Sequence, residues 1–542
     1  MRSIEHFQEQ IATIFQEAMS IPSFTNTETE REIEDYLDQR IGSIPYFKSH
    51  PQHFGRYPLP DDHLHRSVNW ALVDKGKKKT VILFHHHDTV DLEDYGPLAP
   101  IALDSEALVQ VLKGIDFRSE MQEDLDSGKW QFGRGSCDMK AALALQLGVL
   151  ETYASDSEGG QVNLLYLSVG DEESYSRGMR GALTLLCQLK EEFDLDYVLA
   201  VDSEPFEATS DKEKVLHIGT VGKLMPVVVT QGVLSHMKEP LKGINALSLL
   251  IAVASRLDLH PDLSDQALGE QSPLPSWSYL RDLKDQYDVS TVLHAAGYFS
   301  VLHLKKTPQE LLQRIKELSQ EAVDEFYVKY LSLQDQAGQE HVIGQPRVIS
   351  YQELLDRCQM KEGFSSFQDQ CAQRAYKDFL AGVGYQAIAI QQIQGYLNFL
   401  GEKAPLVVIG FAPPYYPSMN CRSLPNTSLK IGSLVDDYRH YLESKGLSLK
   451  VEEYFMGICD TSYCALERDL ASYQVVLDSL ATPSQVYELD LENISQIQVP
   501  AVNLGPWGKE LHQRGERVFT EDLLETIPNY LFDLLYRFEE LL

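Results

Sequence analysis

Short apolar runs alternate with helical segments along the first part of the chain. The runs at 77–90, 159–173 and 194–205 each end in acidic or histidine residues, and apolar positions at helical spacing fill 139–154 between them. Strands alternating with helices predict an α/β fold with a mostly parallel mixed sheet flanked by helices, whose ligands bind beyond the carboxyl ends of the strands. The polar clusters stand at those ends.

The pattern changes after residue 212. A strand pair in VLHIGTVGKLMPVVVTQGVLSH is followed by the helical segment INALSLLIAVASRL, a strand at 295–304 and a long helix that starts at TPQELLQ. These elements predict a separate α/β unit over 213–332, inserted between a first part, 1–212, and a second part, 333–542, of one larger domain. An extra segment at about 333–403 belongs to the second part in this interpretation.

The second part shows mixed structure again. Three further strands and a final helix are predicted, at 404–412, 447–455, 500–505 and 520–542.

Composition narrows the class of protein. The chain has 542 residues, of which 43% are apolar and 10% aromatic, enough for a sizeable core. Its net charge of −33 repels phosphate backbones and anionic lipid, so we expect neither nucleic acid nor a membrane as partner. Seven cysteines without a CxxC pair, no signal-peptide pattern and no apolar run of spanning length favour a cytoplasmic protein.

The first candidate site follows the apolar run VILF. Residues two apart on an extended strand face the same way, so His86 can face a metal while Asp88 orients its imidazole. The alternative is a solvated polar strand end. Asp138, which follows Gly133 and Gly135 at a helix start, can bridge two cations or can simply cap that helix.

Three further candidates lie in other polar segments. Adjacent Glu172 and Glu173 at a strand end can divide their roles, one as metal ligand and one as proton carrier, although Glu-Glu pairs occur elsewhere in the chain. Asp202 and Glu204 form a similar pair, and His512 stands in a glycine-rich loop, where a lone histidine is more often a surface residue. Together these nitrogens and oxygens suit zinc, cobalt or manganese rather than calcium.

The order of these segments resembles the co-catalytic zinc peptidase family that includes carboxypeptidase G, succinyl-diaminopimelate desuccinylase, acetylornithine deacetylase and aminoacylase. That family has, in order, HxD, GRGxxDMK, DEE, EP and HxxxE. This chain has them at 86–88, 133–140, 171–173, 204–205 and 512–516. The length, the GICDTSY segment and the stretch 333–403 look more like the arginine utilisation (RocB) branch than the shorter peptidases.

The resemblance implies a role for each motif residue. Asp138 becomes the ligand shared by two divalent metal ions, zinc being the first expectation and cobalt or manganese the alternatives. The remaining ligands and the catalytic residues implied are His86 and Glu204 on one metal, Glu173 and His512 on the other, Glu172 as general base and Asp88 orienting His86.

The inserted unit resembles the family's lid, which commonly pairs two subunits. GVLSHMKEPLKGINA matches the lid pattern GxxxHxxxPxxGxNA, which makes His236 a candidate to stabilise an oxyanion, with a hydrogen-bonded hairpin histidine as the alternative. The lid arginine of many relatives is replaced here by Leu302 and His303. Asp460 resembles a late family aspartate, and Arg422 is a candidate for the missing cation.

These observations predict a metal-dependent hydrolase of an amide or peptide bond in a small acyl amino acid or dipeptide, possible homodimerisation through the lid, and a link to arginine catabolism. A non-catalytic binding or regulatory protein that retains the fold is one alternative. A hydrolase of a non-peptide C–N bond is the other.

Overall fold

The computed structural model describes residues 4–115, 119–156 and 159–542. In chain order the helices are α1 (Ile4–Met19), α2 (Glu30–Ser43), α3 (Pro45–Ser49), α4 (Ser105–Leu112), α5 (Ser119–Ser127), α6 (Lys140–Ser155), α7 (Arg177–Glu192), α8 (Ala246–Leu257), α9 (Pro308–Gln336), α10 (Tyr351–Gln359), α11 (Phe364–Leu380), α12 (Tyr385–Leu400), α13 (Ile431–Ser444), α14 (Leu470–Ser479), α15 (Leu491–Ile497) and α16 (Ile527–Arg537). The strands are β1 (Phe54–Pro58), β2 (Ser67–Val73), β3 (Lys79–His86), β4 (Trp130–Phe132), β5 (Asn163–Val169), β6 (Asp196–Asp202), β7 (Glu213–His217), β8 (Gly219–Thr220), β9 (Gly222–Gln231), β10 (Gln266–Ala267), β11 (Glu270–Gln271), β12 (Ser276–Asp282), β13 (His294–His303), β14 (Arg347–Ser350), β15 (Leu406–Tyr416), β16 (Met419–Asn420), β17 (Ser448–Glu452), β18 (Ala501–Asn503), β19 (Gly508–Lys509) and β20 (Arg517–Phe519).

The chain forms two compact units. The first unit comprises Met1–Thr220, Met419–Glu467 and Asp490–Leu542, and the second comprises Val221–Ser418 and Arg468–Leu489.

The first unit is built on a mixed sheet in the order β1-β2-β5-β3-β6-β18-β7-β17. Its central strands β5, β3, β6 and β18 are parallel, so their carboxyl ends lie at one edge. Helix α6 packs against β2, β3 and β5, while α1 and α16 pack against α6 itself. Because α6 is covered from several sides, its residues from Lys140 to Leu150 are all buried. The expected α/β fold is confirmed.

The second unit has its own five-stranded sheet in the order β12-β13-β9-β15-β14. Only the pairing of β14 with β15 is parallel among the described strands of this sheet. Helix α8 packs on β9 and β13, and α12 packs on β9, β13 and β15. Successive residues of a strand face opposite sides, and Val227 and Val229 share one core with Ile393 of α12.

The extra segment 333–403 lies in the second unit, not with the second part of the larger domain. The reason is the pairing of β15, the strand expected at 404–412. It pairs antiparallel with β9 along most of its length, from Leu406 opposite Gln231 onward. This pairing satisfies the free edge of β9. Helices α10 and α12, which precede β15, pack on the same sheet, and α11 packs on these two helices.

Two other predicted elements differ in their limits. The strand pair expected after residue 212 divides between the units, because β7 joins the first sheet and β9 the second. The final helix is interrupted, with a π-helical turn at Asp522–Thr526 before α16. Across the described ranges, every helix is too short or too polar to cross a bilayer.

Ile393→Ala tests the packing of α12 on the second sheet. Ile393 is fully buried, so its truncation should lower the free energy of unfolding by about 2–5 kcal/mol. Ile251→Ala is the matched control, since Ile251 of α8 is 50% exposed and its truncation should cost less than about 1 kcal/mol. Urea unfolding measures both, and equal losses would contradict the placement of α12.

Candidate active site

Three parallel strands bring acidic and histidine side chains to one edge of the first sheet. His86 is the last residue of β3, Glu172 and Glu173 follow β5, and Glu204 follows β6. Because β3 pairs in parallel with both β5 and β6, these strand ends are neighbours. The sequence pattern predicted this convergence.

His86 faces the cluster through Nε2. This nitrogen lies 3.0 Å from Asp138 Oδ1, 3.7 Å from Glu204 Oε1 and 3.9 Å from Glu172 Oε2. Its Nδ1 lies 2.9 Å from the main-chain oxygen of Asp88, which fixes the ring orientation. The neighbouring His87 turns away, with Nδ1 2.9 Å from Ser168 Oγ, as strand alternation requires.

Asp138 stands between the two histidines. Its Oδ1 faces His86, while its Oδ2 lies 3.1 Å from His512 Nε2. Only Met139 separates Asp138 from the first residue of α6, and the side chain of Asp138 is buried. Each carboxylate oxygen therefore serves a different half of the cluster.

His512 reaches the cluster from the loop between β19 and β20. Its Nε2 lies 3.0 Å from Glu173 Oε1, and the side chain is 48% exposed. Lys509 and Arg517, at the two ends of this loop, both bind Asp124, at 2.9 and 2.8 Å. Tertiary contacts thus hold a histidine that the sequence alone could not distinguish from a surface residue.

Asp88 joins two parts of the cluster. Its carboxylate oxygens accept the backbone N–H groups of Glu172 and Glu173 at 3.1 and 3.2 Å, and Oδ1 lies 3.5 Å from His86 Nδ1. Its main contact with His86 is therefore through the carbonyl, and its carboxylate mainly holds the Glu172–Glu173 turn.

Glu516 is a supporting residue that was not among the candidates predicted from the sequence. Its Oε1 accepts the backbone N–H groups of Cys137 and Asp138, each at 3.3 Å, and its Oε2 pairs with Arg134. It thereby connects the loop of His512 to the loop of Asp138. The sequence did contain a signal for Glu516, because it is the last residue of the fifth motif, HxxxE.

The three glutamates of the cluster are hard to ionise. Burial raises the pKa of Glu172 well above its ordinary value, and the charges of Asp460 and Glu173 act in the same direction. Burial and then the charge of Asp138 raise the pKa of Glu173 to about 7, and they raise that of Glu204 as well.

The contacts between Asp138 and the two histidines favour the charged form of the partners. Burial opposes ionisation of Asp138, but hydrogen bonds from His512 and His86 bring its pKa below the ordinary value. The same contacts, to Asp138 and Glu173, raise the pKa of His512 to about 11. Within the described ranges, histidines supply the only cationic nitrogens at ion-pair distance from Asp138, Glu173 and Glu204.

This donor set fits divalent cations. Ligand atoms of His86, Asp138 and Glu173 lie within 4.8 Å of one another, as do those of His86, Glu172 and Glu204. Imidazole nitrogen with carboxylate oxygen is the ligand chemistry of zinc and similar metals. Divalent cations would favour the ionised form of Asp138, Glu173 and Glu204, which no lysine or arginine of the described residues reaches at ion-pair distance.

Other sequence candidates occupy different places. Asp460 begins a short 3-10 helix and is buried in the first unit, where its charge acts on Glu172. Arg422 pairs with Glu453 at 3.0 Å. Asp202 accepts the N–H of Ser203 at 2.8 Å.

The lid candidates lie in the second unit. His236 is exposed and accepts the N–H of Lys238 through Nδ1 at 3.2 Å, so its catalytic role stays a prediction. Leu302 and His303 are in β13, where His303 is buried and parallel to the ring of Tyr415.

Residues 85–531 match the profile of Peptidase family M20/M25/M40. The chain belongs to this family. The matched range includes every residue of the cluster described above, and it confirms the family inferred from the five motifs. The protein is accordingly a metal-dependent hydrolase, and the non-catalytic alternative is not supported.

Two proteins of Bacillus subtilis are similar to this chain over almost its whole length. It is 30% identical to YqjN of Bacillus subtilis (strain 168) over 538 residues, covering 97% of this chain and 95% of YqjN. It is 26% identical to RocB of the same strain over 540 residues, covering 96% and 93%.

Solved structures agree on the fold. A tripeptidase from Staphylococcus aureus has a TM-score of 0.52 at 12% identity, with 98% of each chain covered. Human carnosine dipeptidase 1 has a TM-score of 0.52 at 11% identity, with 98% of this chain and 97% of that chain covered.

Proposed function

We propose that the protein hydrolyses an amide or peptide bond in a small acyl amino acid or dipeptide, using two divalent metal ions. The observation that supports this most is Asp138, whose two oxygens face His86 and His512 at 3.0 and 3.1 Å. A carboxylate placed in this way suits a ligand shared by two cations.

The proposed ligand sets follow from these contacts. Asp138, His86 and Glu204 would hold one ion, and Asp138, Glu173 and His512 would hold the other. Zinc is our first choice because the set mixes imidazole with carboxylate, and cobalt or manganese would suit it too. When bound, such a pair lowers the pKa of water and polarises a carbonyl oxygen.

Glu172 is the proposed general base. Its Oε2 lies 3.9 Å from His86 Nε2, so it borders the ligand set, and its backbone N–H is fixed by Asp88. Its carboxylate accepts a proton from water as the water oxygen bonds to the substrate carbonyl carbon. It then donates that proton to the amine nitrogen as the C–N bond breaks.

The remaining parts of the proposal rest on sequence. We propose that His236 stabilises the oxyanion that develops on the substrate carbonyl, in the active site of its own or of a neighbouring subunit. We also propose that the second unit, as the lid, mediates a homodimer. A small substrate suits a fold shared with a tripeptidase and with carnosine dipeptidase 1.

All seven cysteines are unpaired, which supports a reducing compartment. The link to arginine catabolism rests on the resemblance to RocB-like proteins.

Glu172→Gln should lower kcat by about 100-fold or more while zinc content stays unchanged, because an amide cannot accept the proton from water. Glu173→Gln is the matched control at the adjacent position. It should lower zinc content, since it replaces a charged ligand, and added zinc should restore part of its rate. Metal analysis and rates are measured on the same samples. Loss of zinc from the Glu172 variant with an unchanged rate per bound metal would reverse the two roles.

A hydrolysis screen tests the substrate class. Acyl amino acids and dipeptides are incubated with the protein and zinc, cobalt or manganese, and release of the free amine is measured. We expect turnover of at least one acyl amino acid or dipeptide, abolished by a chelator. Turnover confined to ureido or amidino compounds would instead favour hydrolysis of a non-peptide C–N bond.

A further inference from the structure

A buried arginine of the first unit lies near the candidate active site but is not one of the proposed metal ligands. Arg66 directly precedes β2, and its side chain is 1% exposed. Its Nη1 donates to Glu30 Oε1 at 2.8 Å and to Asp171 Oδ1 at 2.9 Å, while Nε and Nη2 donate to the two oxygens of Asp62 at 3.1 and 2.9 Å. One guanidinium thus joins three carboxylates from separate parts of the chain.

Asp171 begins the turn that carries Glu172 and Glu173. Its φ of 68° is left-handed, a conformation that a non-glycine residue keeps only when its surroundings impose it. Its carboxylate is held by Arg66 and by the backbone N–H of Arg177 at 3.2 Å. Its carbonyl accepts the N–H groups of Tyr175 and Ser176 at 3.0 and 2.6 Å. The turn is therefore fixed at its first residue.

Close packing leaves the turn little room to move. A Cβ atom on Gly170 would lie 2.6 Å from Glu30 Oε2 and 2.9 Å from His87 Nε2. A Cβ atom on Gly178 would lie 2.4 Å from the carbonyl oxygen of Gly170. Glu30, which also binds Arg66, therefore packs against Gly170, the residue before the turn.

The turn determines where the two glutamates lie. With Asp171 fixed, the N–H groups of Glu172 and Glu173 reach the oxygens of Asp88 at 3.1 and 3.2 Å. The carbonyl of Asp88 in turn lies 2.9 Å from Nδ1 of His86. Arg66 is therefore connected to His86 through the hydrogen bond to Asp171, the peptide chain from Asp171 to Glu172, and the hydrogen bonds of Asp88.

We propose that Arg66 is a positioning residue, which acts through Asp171 to fix Glu172 and Glu173 for metal binding and proton transfer. Its effect on rate rests on the function proposed above, whereas its effect on metal affinity requires only the geometry of the cluster.

The guanidinium shape is essential to this role. Arg66 uses three nitrogens at once, and its fork holds both oxygens of Asp62 while Nη1 reaches Glu30 and Asp171. The single ammonium nitrogen of lysine keeps the charge but cannot span these positions. Arg66→Lys therefore separates positioning from charge balance.

The test compares Arg66→Lys with Arg40→Lys. Arg40 is the matched control, because it also joins two carboxylates of the first unit, Glu17 at 2.8 Å and Glu151 at 2.7 Å, but has no role in the turn. Thermal unfolding, zinc affinity by chelator competition, kcat and KM are measured for both variants and the parent protein.

We expect Arg66→Lys to lower zinc affinity and kcat by about 10-fold or more, with a smaller change in KM. Arg40→Lys should lose stability only. A purely structural Arg66 would give a lower Tm with unchanged zinc affinity and unchanged kcat per folded molecule, and that result would overturn the proposal.

Asp171→Asn covers the case in which Arg66→Lys fails to fold. It keeps an oxygen for Arg66 but removes the charge and places an amide against the N–H of Arg177. We expect the same joint loss of zinc affinity and kcat, and unchanged values of both would overturn the proposal. If the parent protein hydrolyses no tested substrate, the proposed function fails, while the zinc affinities still decide the role of Arg66.

Discussion

The candidate active site depends on the burial of several carboxylates near the carboxyl ends of the parallel central strands of the first sheet. Asp138, Glu173 and Glu204 lie there among histidines, and in the described ranges neither lysine nor arginine reaches them at ion-pair distance. Burial alone would keep such groups neutral. A bound divalent cation would favour the ionised carboxylates, because it would supply the positive charge that lysine and arginine do not supply there.

Much of the surrounding structure holds these groups in place. Backbone N–H groups of the Glu172–Glu173 turn bind Asp88, and those at Asp138 bind Glu516. Positive side chains act one layer further out, where Arg66 holds Asp171. Arg66 thus helps to fix a loop of the site without pairing with the central carboxylates, which agrees with the metal-binding role proposed for them.

Sequence patterns could predict the parts of this account that depend on local periodicity. Strand alternation put His86 on the site face, and apolar runs located β3, β5 and β6 with the acidic residues at their ends. Pairings between distant segments could not be predicted. Strand β15 pairs with β9 although many residues separate the two strands, and Arg66 contacts Asp171 only in the folded chain. The spacing of residues along the chain therefore predicts neither contact.

Anomalous diffraction at the zinc edge, on crystals grown with zinc, tests the central claim most directly. The account predicts two peaks about 3.5–4 Å apart, one on each oxygen of Asp138. The first should contact His86 and Glu204, and the second Glu173 and His512. A single peak, or peaks that do not contact Asp138, would contradict the two-metal site.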